Sequence, residues 1–266
     1  MRETSKTVNH ALKVLNCFSR LRPVLSGSEI AAELKLPRTN VLRLLSTLED
    51  AGFIERKEGD VGYRIGLRAF EIGTLYLIGN PLSSILTGIL DELVSKTQCT
   101  AYLGVLDGDD LVILNCREGP VPIQFIWKAG ARLPCTTTAM GKAIMMHLPP
   151  EEITKHLGKD GSFRVLTERS LRTRSQLDAE LAEFRQRGWS QTQEEAHAGV
   201  SAVGCAILDD NGYPIAAVSV CFFDHPPDPK RKEGYAKLVC DAAKNASTQI
   251  AELAVYGSRL TRESIF

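Results

Sequence analysis

Apolar positions recur with a helical period through residues 25–52, and the repeat is interrupted once, at Pro37. The pattern predicts two short amphipathic helices joined by a tight corner. Ser26 followed by Glu29 has the spacing of a capping box for the first helix. Pro37 suits the first turn of the second helix, and Gly52 follows the last apolar position, where a left-handed residue is expected.

The second of these helices presents two different faces. Its apolar face consists of Val41, Leu44, Leu45 and Leu48. The opposite face carries hydrogen-bonding side chains of the kind that read base edges in a major groove. With the neighbouring polar positions, the DNA-binding candidates are Ser28, Arg38, Thr39, Asn40, Arg43, Ser46 and Thr47. The arrangement is that of a helix-turn-helix, although similar helix pairs also occur in proteins that never contact DNA.

The residues that follow favour the DNA-binding interpretation. A strand over residues 53–57, a glycine-containing turn and a strand over residues 63–65 predict a hairpin, the wing of a winged helix. On this wing Lys57 and Arg64 are candidates for phosphate contacts. A preceding helix, predicted over Lys6–Leu21, has an apolar face made of Val8, Ala11, Leu12, Leu15 and Phe18. We therefore expect a winged helix-turn-helix domain over residues 1–66.

Residues 67–80 are dense in apolar side chains and predict a linker helix that ends at Asn80-Pro81. The extra apolar surface suits contact with another subunit, and it suits packing on the winged helix of the same chain equally well.

Residues 81–258 predict a second domain of the α+β class, an antiparallel sheet with helices packed on it. The strands come in hairpins rather than in alternating strand–helix units. The predicted strands are 100–106, 111–115, 123–127, 201–208 and 214–223, and the predicted helices are 82–98, 139–147, 150–157, 175–187 and 232–256.

Three threonines, residues 136–138, directly precede the small-residue start of one predicted helix. Their hydroxyls and the free amides of that first turn would suit a carboxylate. The alternative is that a threonine caps only its own helix. A phosphate-binding loop would need Gly at position 136 and Ser or Thr at 143, and the chain has Thr136 and Ala143, so this interpretation fails.

Composition limits the remaining function classes. The net charge of the chain is zero, and residues 1–66 hold 11 Lys and Arg against 8 Asp and Glu, a mildly basic excess. The seven cysteines form no C-x-x-C pair, which predicts reduced thiols and no metal site. No signal peptide and no apolar run of about 20 residues is visible, so we expect a soluble, cytoplasmic protein without a membrane partner.

Catalytic machinery is not expected. Glu194 and Glu195 lie beside His197, but adjacent residues point in different directions, and such a charge cluster is more often a solvated loop. Cys135 and Cys205 have no histidine at a spacing that would suggest an activated nucleophile. We expect neither an enzyme nor a cofactor.

Four segments together resemble the IclR-type (isocitrate lyase regulator) family of bacterial transcription regulators. They are EIAAELKLPRTNVLRLLSTLEDAGFIER, YRIGLRAFEIG, RLPCTTTAMGKA and GWSQTQEEAHAGVSAVGCAI. The resemblance implies a winged helix, a dimerising linker helix and a C-terminal GAF- or profilin-like domain that binds a small effector. It further implies a homodimer or tetramer on a palindromic double-stranded DNA operator near catabolic genes, as repressor or activator.

The resemblance also implies an effector pocket. Its residues would be Ile123, Thr138, Ala139, Met140, Thr192, Ala202, Ser219 and Cys221. The family often has Asp at the position of Thr192, Cys at Ala202 and Ser at Cys221. Weaker hydrogen bonding at these three positions predicts a larger, partly apolar acid, whose body would contact Met140 and Ile123, rather than a small keto acid. The alternative function is a ligand-binding or enzymatic α+β protein whose winged helix contacts protein.

Overall fold

The computed structural model describes residues 5–19, 21–56, 59, 61–78, 82–120, 127–158, 161–224, 226 and 228–255. The chain divides into two compact units, residues 1–81 and 82–266, and each has its own apolar core.

The first unit is a winged helix followed by one further helix. Its described elements are α1 Lys6–Cys17, β1 Leu25–Ser26, α2 Gly27–Leu34, α3 Arg38–Asp50, β2 Ile54–Glu55, β3 Gly62–Ile65 and α4 Leu67–Ile78. The strands form an antiparallel sheet in the order β1-β3-β2. The predicted hairpin is confirmed by pairing of Ile54 with Ile65. Strand β1, which pairs Leu25 with Tyr63, is too short to leave a pattern in the sequence.

The ends of α2 and α3 follow from local chemistry. At the start of α2 the Ser26 N–H donates to the Glu29 carboxylate at 2.7 Å, and the Ser26 hydroxyl accepts from the Glu29 N–H at 3.2 Å, so the predicted capping box is confirmed. At the end of α3, Gly52 has a φ of 75°. The N–H of Phe53 donates to the Leu48 carbonyl at 2.9 Å, which closes the helix as predicted.

The corner between α2 and α3 differs slightly from the prediction. Pro37 is the N-cap of α3 and not a residue of its first turn, because its carbonyl accepts the N–H groups of Asn40 and Val41. Val41 and Leu45 are fully buried, which confirms the predicted apolar face of α3.

The prediction for α1 was wrong in two respects. The helix ends at Cys17 and not at Leu21. Its buried residues are Val14 and Cys17, whereas Val8 and Leu12, predicted to face the core, are exposed. Ala11, Leu15 and Phe18 of the predicted face are partly buried and pack against the core, so the prediction was right for these three residues.

The second unit consists of one sheet with helices on both faces. Its described elements are α5 Leu82–Thr97, β4 Thr100–Asp107, β5 Asp110–Arg117, β6 Arg132–Pro134, a 3-10 turn Cys135–Thr137, α6 Ala139–Met145, α7 Pro150–Lys155, α8 Arg174–Arg187, β7 Ser190–Gln193, β8 Val200–Leu208, β9 Pro214–Phe223 and α9 Pro229–Val255. Six described strands form an antiparallel sheet in the order β6-β5-β4-β9-β8-β7. The predicted α+β class, with its winged helix and antiparallel sheet, is confirmed.

Side chains alternate between the two faces of this sheet, as the pleat requires. In β4, Ala101 and Leu103 pack with residues of α5 and α9 in one core. Tyr102, between them, belongs to a second core with residues of α6 and α8. The second face carries the cavity described below.

Two strands differ from the prediction. Of the expected strand at 123–127, residues 123–126 lie outside the described residues and Trp127 has no strand conformation, while β6 pairs with β5 instead. Strand β7 was not predicted, because its sequence SQTQ is polar throughout and shows no alternation.

The cysteine prediction was also wrong at one pair. Cys205 of β8 and Cys240 of α9 form a disulfide with their Cα atoms 5.3 Å apart. The two residues are 35 positions apart in sequence, so only the packing of α9 on β8 brings them together. The described cysteines 17, 99, 116, 135 and 221 are free thiols.

Candidate DNA-binding face and ligand cavity

The polar face of α3 is exposed along its whole length. Burial of Val41, Leu45 and Leu48 fixes the rotation of the helix, so the opposite side chains lie in solvent. The exposed candidates on α3 are Arg38, Thr39, Asn40, Arg43, Ser46 and Thr47, and Ser28 is exposed at the start of α2. Lys57, the remaining candidate besides Arg64, lies outside the described residues.

The arginines of this face differ in how they are paired. In the described part of the first unit, no acidic side chain forms an ion pair with Arg38 or Arg43. On the wing, by contrast, Arg64 donates to Glu55 at 2.7 Å. Arg38 and Arg43 are therefore available to a phosphate or a guanine edge, whereas the charge of Arg64 is shared with a carboxylate.

A groove between α1 and α3 extends this face. It is open to solvent and is lined by Thr7, His10, Asn40, Arg43, Leu44 and Thr47. The sequence did not indicate Thr7 and His10, because their place beside α3 depends on the packing of α1 against α3. Because Val14 and Cys17 are the buried positions of α1, Thr7 and His10 lie on the side of the helix that adjoins α3.

The second unit contains a cavity between the sheet and the start of α6. The space between its lining residues is about 420 Å³, part of which is open to solvent. Its described lining is Tyr102, Ile113, Trp127, Leu133, Thr137, Thr138, Ala139, Met140, Thr192, Ala196, Val200, Ala202, Ser219 and Cys221. Seven of the eight predicted effector residues are therefore brought together, and the eighth, Ile123, lies outside the described residues.

Strand register explains why residues distant in sequence meet here. Thr192 of β7 lies opposite Ala202 of β8, which in turn lies opposite Cys221 of β9. All three point to the same face of the sheet because paired residues of antiparallel strands do so. The row crosses three strands and forms one wall of the cavity.

The start of α6 lies directly on this sheet because Gly204 has no side chain. A Cβ at Gly204 would lie only 3.0 Å from the carbonyl carbon of Ala139. The Ser190 hydroxyl donates to the Ala139 carbonyl at 2.6 Å and anchors the same turn. Ala139 and Met140 are thereby held at the cavity.

The threonines before α6 are bonded within their own turn. The Thr138 hydroxyl donates to the Cys135 carbonyl at 3.2 Å and accepts from the Gly141 N–H at 3.0 Å. The Thr137 hydroxyl donates to the Pro134 carbonyl at 2.9 Å. Capping of the local turn, the alternative considered from the sequence, accounts for these hydroxyl protons.

The cavity lining is uncharged in its described part. Burial raises the pKa of the Cys221 thiol to about 12, so Cys221 is a neutral thiol and not a thiolate at physiological pH. Tyr102, Thr192 and Ser219 also line the cavity, and their hydroxyl groups do not cap a local turn as those of Thr137 and Thr138 do. Hydroxyl groups and main-chain amides, rather than cations, are available to a bound molecule.

A buried ion triad lies beside the cavity. The side chain of Lys142, on α6, is 0% exposed, and its Nζ donates to Glu180 and to Glu195 at 2.6 Å each. Glu195 is not in a solvated loop, as the sequence suggested; its side chain is 7% exposed, and burial raises its pKa to about 7. The next residue, Ala196, lines the cavity.

The loop that contains Glu195 is also held through its main chain. The Ser170 hydroxyl donates to the Glu195 carbonyl at 2.7 Å, and the Thr167 hydroxyl donates to the Glu194 carbonyl at 2.7 Å. Main chain and side chain of this loop are thus both held in place against the wall of the cavity.

Among the described residues, no group of histidine, cysteine and acidic side chains is arranged to hold a metal ion. A helix with the length and apolar character needed to cross a bilayer is likewise not found in the described part of the chain.

An exposed polar helix in a winged-helix unit, together with a second unit that encloses an uncharged cavity, defines a DNA-binding transcriptional regulator with an effector domain. Two family models match the chain. The model of the IclR helix-turn-helix domain matches residues 7–58, and the model of the bacterial transcriptional regulator IclR C-terminal domain matches residues 74–248. The chain belongs to the IclR family.

Individual relatives agree with this assignment. The HTH-type transcriptional repressor AllR of Klebsiella pneumoniae is 28% identical over 92% of this chain and 90% of its own length. The crystal structure of the Thermotoga maritima IclR protein is 27% identical, with a TM-score of 0.73 over 92% of this chain and 98% of that chain. An IclR homologue from Microbacterium hydrocarbonoxydans complexed with 4-hydroxybenzoate shares the fold, with 19% identity and a TM-score of 0.80 over 93% and 100%.

Proposed function

We propose that α3 carries the sequence-specific DNA contacts of this regulator. The observation that carries the proposal is the exposed polar face of α3, on which Arg38 and Arg43 have no acidic partner in the described part of the chain. Arg43 would contact base edges, while Arg38, Ser28 and the wing would contact phosphates. The groove between α1 and α3 supports a further contact, between the His10 side chain and the DNA backbone.

We propose that the protein acts as a homodimer or tetramer on a two-fold symmetric operator in the cytoplasm, as a regulator and not as an enzyme. On α4, Leu67, Phe70 and Leu75 are 65%, 67% and 63% exposed. Such exposure disfavours packing of this helix on its own winged helix and supports its burial against another subunit. Two-fold symmetry would place two recognition helices on matching half-sites.

We propose that the cavity binds a small organic acid with an apolar body. The lining supports this assignment, because apolar side chains such as Ile113, Leu133 and Met140 surround a few hydroxyl groups. The amides of Ala139 and Met140, at the start of α6, would bind the carboxylate. The Microbacterium homologue, which shares this fold, is complexed with 4-hydroxybenzoate, an acid of this class, and this supports the proposal.

Effector binding would change operator affinity by stabilising one arrangement of the winged helices over another. A gel shift tests the proposal, with purified protein on DNA that spans its own upstream intergenic region, at physiological salt and with excess competitor DNA. We expect a discrete shifted band whose midpoint moves when benzoate-type acids are added. Without a shift on this DNA or on sequences selected from random duplexes, the proposal fails.

A second measurement tests the class of effector separately from DNA binding. Titration calorimetry with benzoate and with glyoxylate should give measurable binding for the larger acid. Tight binding of glyoxylate, without binding of benzoate-type acids, would contradict the predicted effector class while leaving the DNA-binding assignment intact.

A further inference from the structure

The hydroxyl group of Tyr102 is buried without an acceptor. Tyr102 lies in β4, is 2% exposed and lines the cavity. Among the described residues, no group accepts the proton of its Oη. A buried polar group left unpaired costs about 1–3 kcal/mol, and such a group in a folded protein requires an explanation. Other buried polar atoms without a partner belong to side chains that do not line this cavity.

The Tyr102 hydroxyl is held as a hydrogen-bond donor. Burial raises the pKa of the phenol above its ordinary value, so the group remains protonated at physiological pH. The ring of Trp127 packs edge-to-face on the Tyr102 ring, with centroids 6.4 Å apart and an interplanar angle of 64°. A neutral donor on a fixed aromatic ring therefore lines the cavity.

Tyr102 and the start of α6 lie over different strands of the sheet. Tyr102 pairs with Ser219 of β9, and Ser219 pairs with Gly204 of β8, over which Ala139 sits. Two strand spacings, about 10 Å, therefore separate the Cα atoms of Tyr102 and Gly204. A molecule that binds both the Tyr102 hydroxyl and the amides at the start of α6 needs a hydrogen-bond acceptor for each of them.

We propose that Tyr102 donates a hydrogen bond to a second oxygen of the effector, separated from its carboxylate by an aromatic or cyclic body. The inference rests on the proposed binding of the carboxylate at Ala139 and Met140, and it narrows the effector class to hydroxy- or keto-substituted cyclic monocarboxylic acids.

The test compares two acids that differ in one oxygen. Calorimetry measures 4-hydroxybenzoate and benzoate with the full chain and with Tyr102→Phe, which keeps the ring and removes the hydroxyl. We expect the unmodified protein to bind 4-hydroxybenzoate about tenfold more tightly, and Tyr102→Phe to remove this preference by weakening 4-hydroxybenzoate alone. Tyr213→Phe is the matched control, since the Tyr213 hydroxyl donates to Glu152 at 2.8 Å and Tyr213 does not line the cavity.

Three results would overturn the inference. The first is an equal loss for both acids in Tyr102→Phe, which would mean that the residue only packs. The second is a preference for 4-hydroxybenzoate that survives the substitution. The third is binding of neither acid to the unmodified protein. A gel shift on the same preparation separates these outcomes from failure of the DNA-binding proposal, because operator binding does not require the effector class to be correct.

Discussion

Glu195 makes the stability of the second unit depend on pH, and Glu195→Gln should remove that dependence. The carboxyl group is buried against Lys142, and burial raises its pKa from 4.5 to about 7. Between these two values the folded protein keeps a proton that the unfolded chain releases. The resulting stabilisation is present at low pH and is lost as the pH rises through 7.

The size of the effect follows from the two pKa values. With 4.5 for the unfolded chain and about 7 for the folded protein, proton linkage predicts a loss of about 1.3 kcal/mol in the free energy of unfolding between pH 6 and pH 8. Glutamine has nearly the shape of the protonated acid and does not ionise. Lys142 retains Glu180 as its counter-ion in the variant, so no unpaired buried charge is created.

Urea unfolding at pH 6, 7 and 8 measures this difference. The two tryptophans, Trp127 and Trp189, both lie in the second unit, so their fluorescence follows the unfolding of that unit. The unmodified protein should lose about 1.3 kcal/mol more than Glu195→Gln between pH 6 and pH 8. Glu168→Gln, which removes an exposed carboxylate of the same unit, should behave like the unmodified protein. If Glu195→Gln keeps the full pH dependence, the proton is bound elsewhere and the reasoning is refuted.

Three further predictions concern the other parts of the molecule. Arg43→Ala should reduce the free energy of binding to the specific operator by about 1–3 kcal/mol. His10→Ala should instead weaken binding to the operator and to random duplex DNA alike, and gel-shift titrations on both DNAs distinguish the two outcomes. Gly141→Ala places a Cβ against a main-chain carbonyl of the preceding turn and should lower the melting temperature seen by circular dichroism. Phe70→Ser combined with Leu75→Ser should shift sedimentation towards smaller species, and an unchanged sedimentation coefficient would contradict a subunit interface on α4.

Local features of the fold could be predicted because their causes are local. The capping box of Ser26 and Glu29 and the helix end at Gly52 involve residues three to five positions apart. The buried face of α3 follows from the helical period of its apolar residues. The polar strand β7 could not be predicted, because its place in the sheet depends on β8 and not on its own sequence.

The candidate site likewise contains residues that could be predicted from the sequence and residues that could not. Resemblance of motifs indicated the residues around Ala139 and the row that includes Thr192, and the structure places both at one cavity. The resemblance did not indicate Tyr102, because its place at the cavity depends on the register of β4 with β9. The contact of Lys142 with Glu195 joins residues 53 positions apart, and no periodicity within either segment reveals such a contact.

The same triad limits which acids the cavity can bind. Lys142 is the buried cation beside it, and two carboxylates, those of Glu180 and Glu195, already surround its Nζ. An effector carboxylate therefore has hydroxyls and main-chain amides as partners, whose dipoles can compensate one desolvated negative charge but not two in a buried site. A dicarboxylate would carry its second charge into a lining without a cation in its described part, close to a triad that is itself net negative when Glu195 is ionised. Under the proposed function, selection for a monocarboxylic acid would follow from the charge already bound to Lys142, and a neutral donor such as Tyr102 would bind the other end of such a molecule without a further charge.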